Sequence, residues 1–244
     1  MSPTALTLML VTGFIVLHLY SKNMLFLDGV PRSRILSAAG GVAVSYVFLR
    51  LLPNLADYEE ELEGTLHYAA NRFLEHHLYI IALAGLVIYY GLEQMAEAAR
   101  RKTEALNQTG RPRIFWIHIA SFALLNLITG YLLVHGHFPH LHNRILFFVA
   151  MGLNFVVNDW GLRGIHRGYY DRYGRWLLAA AIFAGWLIGT VTEIEDVFIS
   201  YLSAFLAGGV IMNVMKEELP KERQSSFLAF LAGVVGYAVI LLAV

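Results

Sequence analysis

The chain reads as an all-α membrane protein of eight transmembrane helices in a 3+2+3 arrangement. An inverted repeat relates spans one to three to spans six to eight, and both termini lie outside the cytoplasm. Three observations predict this. Of the 244 residues, 57% are hydrophobic and only 15% charged, against about 25% charged in soluble domains. Eight stretches approach the ~20 apolar residues that a crossing needs: about 4–20, 35–53, 77–95, 114–134, 145–162, 176–192, 197–215 and 227–244. A tetrapeptide recurs in the second and seventh of them. Little is left for a soluble domain, so residues 1–244 form a single membrane domain. The zero formal net charge argues against nucleic acid as a partner. The absence of cysteine excludes disulfides and thiolate ligands.

The first span follows only Met-Ser-Pro, with no basic leader and no small-residue cleavage site. It reads as a retained helix. The second contains AAGGVAVSYVFLRLLP, from Ala38 to Pro53, with Arg50 one turn before the proline, where it can snorkel or pair with an acid. Residues 54–76 hold Asp57, Glu59, Glu60, Glu61, Glu63 and Glu75 and read as a short amphipathic helix or an ordered external loop. The third span carries Glu93 toward its end.

Span four places Asn126, Thr129 and Gly130 near its middle and His118 near its start. The HGHFPHLHN loop after it gathers His135, His137, His140 and His142, the composition of a metal-collecting tract. Span five is apolar except for Asn154, Asn158 and Asp159. The two asparagines stack on one helical face, being four residues apart. An ionisable group within a span marks a pathway, a site or a paired contact. Interhelical glue is the other reading of such amides. Span six is followed by Glu193, Glu195 and Asp196. Span seven reads LAGGVIMNVMKEELP from Leu206 to Pro220, with Lys216, Glu217 and Glu218 as a helix-end charge cluster. Trp116, Trp160 and Trp176 lie near span ends, as headgroup anchors do.

Charge sets the orientation. Fifteen of the 18 Lys and Arg fall in the connections after spans one, three, five and seven, or at their edges. The other connections carry only Arg72 and Arg144. By the positive-inside rule both termini are then outside. Spans two and seven therefore run in opposite directions, yet share AGGV and a proline twelve or thirteen residues past the first glycine. This is the trace of an inverted repeat, which transporters use often. Spans four and five fall between the halves, where a midplane site would form.

Eight spans, external ends, a three-two-three order and the AGG…P units together resemble the ZIP family of metal-ion permeases (Zrt/Irt-like proteins). The family's fourth span carries His-Asn-x-x-Asp/Glu-Gly; here it reads Leu125-Asn126-Leu127-Ile128-Thr129-Gly130. Its fifth carries His-Glu-x-x-His-Glu; here it reads Asn154-Phe155-Val156-Val157-Asn158-Asp159. The resemblance thus implies a metal site of Asn126, Thr129, Asn154, Asn158 and Asp159, mostly neutral oxygen. Such a set suits a harder cation better than zinc. The implied activity is transport of a divalent cation toward the cytoplasm. The four loop histidines would be an external capture site.

The metal would be cargo, so no cofactor and no enzymatic activity are expected. The expected partners are the lipid bilayer and a divalent cation, with a homodimer left open. A bacterial inner (plasma) membrane is the expected location. Two alternatives stand beside this one. The first is a structural or regulatory protein on the same fold without transport. The second is a metal-dependent intramembrane enzyme, which would need His18, His118 and His166 to converge.

Overall fold

The computed structural model describes residues 2–24, 34–65, 77–105, 112–218 and 226–243. Every element among them is helical. Helix α1 (Pro3–Tyr20) starts where Ser2 accepts a hydrogen bond from the Ala5 amide, with Pro3 in the first turn; both are standard helix-start chemistry. Helices α2 (Arg34–Tyr46) and α3 (Leu52–Thr65) are joined by the π turn Val47–Leu51. The remaining helices are α4 (His77–Ala105), α5 (Pro112–His135), α6 (Leu141–Tyr169), α7 (Arg175–Val191), α8 (Asp196–Glu218) and α9 (Phe227–Ala243).

Each of the eight apolar stretches coincides with a helix, but two boundaries differ. The second stretch does not stop at Pro53. A proline inside a helix removes one amide donor and crowds the carbonyl four residues back. Here the widened turn absorbs it: the Leu52 amide reaches back five residues to the Val47 carbonyl, so the helix runs on to Thr65. The acids Glu59, Glu60, Glu61 and Glu63 fall on this extension, whereas Glu75 and residues 66–76 lie outside the described part. Pro220, Lys221 and Arg223 lie outside it too. At the second boundary, α6 and α7 are separated by a break at His166 (φ −127°, ψ 34°) and a π turn over Tyr170–Gly174, rather than by a loop.

Six stretches of the described chain are long and apolar enough to cross a membrane. One of them, Leu141–Val191, contains both α6 and α7, and α9 is apolar but shorter. The outer surface is apolar as well: Val191, Phe227, Leu228 and Leu242 are each over 70% exposed. The interior holds His18, Asn126, Asn154, Asn158, Asp159 and Asn213, all buried. Apolar outside with polar groups paired inside is the pattern of an integral membrane protein.

Three helix pairs are clasped by reciprocal glycines. Gly41 of α2 lies on the Phe230–Val234 backbone of α9, and Gly233 of α9 lies on Ala38. Gly85 of α4 meets Phe205 of α8, and Gly208 meets Ala82. Gly130 of α5 meets Ile182 and Trp186 of α7, and Gly185 meets Leu127. In each case an added Cβ would collide with backbone. Close approach of this kind replaces the hydrophobic drive that lipid removes. The two AGGV motifs therefore do the same work, one seating α2 on α9 and the other seating α8 on α4.

The contacts also sort the helix ends into two groups. At one end Lys216 reaches Glu93 (2.7 Å), Ser21 meets Tyr170 (3.3 Å), and Arg175 donates to the Leu19 carbonyl (3.2 Å). At the other, His135 donates to the Gly189 carbonyl (2.6 Å) and Tyr237 to the Leu146 carbonyl (2.6 Å). Where these contacts join them, α1 and α7 run antiparallel, and α5 and α7 run parallel.

Candidate functional site

The five residues singled out on α5 and α6 do not form one group. Asp159 stands one position beyond Asn158, which is about 100° around a helix of 3.6 residues per turn. That rotation sends the two side chains to different neighbours.

Asp159 and Asn126 meet on His18 of α1. Nδ1 of His18 lies 2.9 Å from Oδ2 and 3.1 Å from Oδ1 of Asp159. Nε2 donates to Oδ1 of Asn126 at 2.7 Å. His18 is 0% exposed, and Asn126 and Asp159 are 1% exposed each. The Asn126 amide nitrogen donates to the Phe122 carbonyl at 2.9 Å, which turns the amide oxygen toward the imidazole. An amide oxygen only accepts, so Nε2 carries a hydrogen. Nδ1 faces the carboxyl group, so any charge on either side chain is paired by the other. The ring is steadied by Phe155, 4.9 Å between centroids. The hydroxyl of Tyr170, just past the end of α6, lies 3.3 Å from the Ser21 hydroxyl beside this group. Unpaired, the same charge at this depth would cost several kcal/mol.

Asn154 and Asn158 instead face α8. The amide nitrogen of Asn213 donates to Oδ1 of Asn154 at 3.1 Å and also to Oδ1 of Asn158. Thr129 joins neither group: its hydroxyl donates to the Leu125 carbonyl of its own helix at 2.8 Å. The four histidines at and after the end of α5 separate as well. His135 stacks on Tyr131 and ties α5 to α7. His137 lies between Tyr58 and Asp196 (3.8 Å). His140 and His142 face each other at 5.1 Å.

A third polar cluster joins α4, α5, α6 and α8. Glu93 accepts from Lys216, and its Oε2 lies 3.5 Å from Nε2 of His118. Nδ1 of His118 lies 3.0 Å from Nε2 of His166. His18 is thus engaged with Asn126 and Asp159, while His118 and His166 engage each other. Among the described residues no three of His, Asp and Glu converge as metal ligands, so the cluster that an intramembrane metalloenzyme would need on these histidines is not formed. Any ion at α5–α6 would have to use amide oxygens beside His18 and Asp159.

His18 and Asn213 were the residues to find. In the sequence His18 reads as a candidate ligand grouped with His118 and His166, and Asn213 only as a lone amide within AGGVIMN. Neither has a spacing partner on its own helix. No known family profile matches the chain, and no curated protein matches it.

Proposed function

We propose that the protein is a permease for a divalent cation, of ZIP-like architecture, with eight crossings and two inverted three-helix units around α5 and α6. The observation that supports it is the His18–Asp159–Asn126 group, fully buried where α1, α5 and α6 meet. An ionisable pair kept so deep within apolar helices is by default functional. The equivalent packing of the two AGGV motifs supports the inverted units. The end that gathers Lys22, Arg163, Arg172, Arg175 and Lys216 would face the cytoplasm, with transport toward it.

In this reading the imidazole that the family keeps on its central helices comes from the first helix instead. The ligand set is then the Nε2 nitrogen of His18 and the Asn126 amide oxygen, with Asp159 on the opposite, Nδ1 side of the ring orienting the imidazole and balancing charge, and Asn154 and Asn158 one face away. It is less purely oxygen than α5 and α6 alone would supply, and it admits borderline ions such as manganese, cobalt or zinc. The cation would have to displace the hydrogen that Nε2 of His18 now shares with Asn126.

The test is uptake of Zn, Fe, Mn, Cd or Co from the medium by proteoliposomes. Wild type should accumulate at least one of these ions, and Asp159→Ala and His18→Ala should each abolish it. No uptake of any of the five by wild type would overturn the proposal. A second reading, a structural protein on the same fold, is favoured by one observation: the Asn154, Asn158 and Asn213 amides satisfy one another. It predicts that the same variants lose stability in a protein that never moved an ion.

A further inference from the structure

We infer that Glu93, His118 and Asn213 form a second station for a divalent cation, separate from His18 and held closed by the tethered ammonium of Lys216. This deepens the permease reading by adding a step between mid-depth and the basic end of the bundle.

The cluster has the parts of a built site. His118 is 5% exposed, and its Nε2 is buried without a hydrogen-bond partner. The same side chain lines a cavity of about 20 Å³, together with Glu93, Ser121, Asn213 and Lys216, among others. A space of this size holds one water-sized particle. On the far side of the ring, Nδ1 of His118 meets Nε2 of His166 at 3.0 Å. If His118 donates there, its Nε2 presents a lone pair on the Glu93 side of the ring. A ligating histidine is fixed in this way, by a partner on its other nitrogen. The Glu93 carboxylate stands 3.5 Å from that lone pair. The Asn213 amide nitrogen is committed to Asn154 and Asn158, which leaves its oxygen as an acceptor. Imidazole, carboxylate and amide oxygen suit a borderline divalent ion.

A positive charge already stands at this place. Nζ of Lys216 lies 2.7 Å from Oε2 of Glu93, with the Phe122 ring 6.0 Å away. The Lys216 side chain is 19% exposed, and a lysine stem is long and flexible enough to carry the ammonium out to water. An entering ion would take Glu93 and His118, and Lys216 would swing away. On return it would help expel the ion. Asn213 touches both this cavity and the α6 amides, and so joins the two sites.

The test uses the full chain in detergent, with Co²⁺ alone as the probe and an Asp159→Asn background to silence the first site. Visible absorption reads imidazole ligation, and thermal unfolding with and without Co²⁺ reads binding independently. Co²⁺ should bind once in this background, and Glu93→Gln and His118→Gln should each lose it. Lys216→Gln should bind about tenfold more tightly or better, since a neighbouring unit charge has been removed. Equal affinity in Lys216→Gln and its parent, or binding that survives both Glu93→Gln and His118→Gln, would overturn the inference. If these variants behave as expected while proteoliposomes take up nothing, the station stands and the permease reading falls. Uptake with no Co²⁺ bound at Glu93 leaves the permease and removes the station.

Discussion

His18 and Asp159 are ionisable side chains paired in the interior, 0% and 1% exposed. Removing one partner of a buried pair leaves the other charged group unpaired, which typically costs about 3–5 kcal/mol. Replacing both by apolar groups of similar volume is often nearly neutral. His18→Leu and Asp159→Leu should therefore each destabilise by several kcal/mol, and the double variant by much less than their sum. Unfolding in detergent micelles would measure the coupling, and additive losses would show that the pair is not energetically linked. Asn213 poses a smaller case. Asn213→Ala strips the donor from two buried amide oxygens, and interhelical bonds of this kind are worth about 0.6 and at most ~1.7 kcal/mol in membranes. A loss of about 1 kcal/mol is expected by the same measurement, with α6 otherwise intact.

The helix pairs hold together through glycines at close approach, and this separates glycines that look alike in sequence. Gly233 and Gly236 both lie on α9, three residues apart. A Cβ at Gly233 would meet the Ala38 backbone, whereas one at Gly236 would meet nothing within 4 Å. Gly233→Ala should cost about 1–3 kcal/mol, as overpacking does. Gly236→Ala should be neutral or stabilising by up to ~1 kcal/mol, because alanine is the better helix former. Equal midpoints for the two variants would remove the clasp as a stabilising device. The α2–α3 rod makes a related point. Pro53 has the composition of a helix end, yet the π turn before it lets the helix continue, because a shift of one hydrogen-bond register accommodates the missing amide.

For the molecule as a whole, the claim to test is which ends share a side. The chain has no cysteine, so single cysteines can be introduced without a prior background. Lys22→Cys and Arg172→Cys should react with an impermeant thiol reagent from one face of the membrane. His140→Cys and Glu193→Cys should react from the other. Labelling of both sets from the same face would overturn the alternating arrangement. The apolar helices were legible without coordinates, because burying unpaired backbone in lipid is so costly that composition and length alone mark the candidate crossings. The repeated AGGV was legible too, since small residues recur wherever helices must approach closely. The chemistry of the interior was not. Asn158 and Asp159 are adjacent in sequence and face different helices, because one residue turns a helix by about 100°. His18 and Asn213 complete two polar groups from 141 and 55 residues away from their partners on α6. Periodicity reports only which residues of one helix share a face; which helix that face meets depends on packing among all of them, and it was this packing that brought His18 to Asp159 and Asn126.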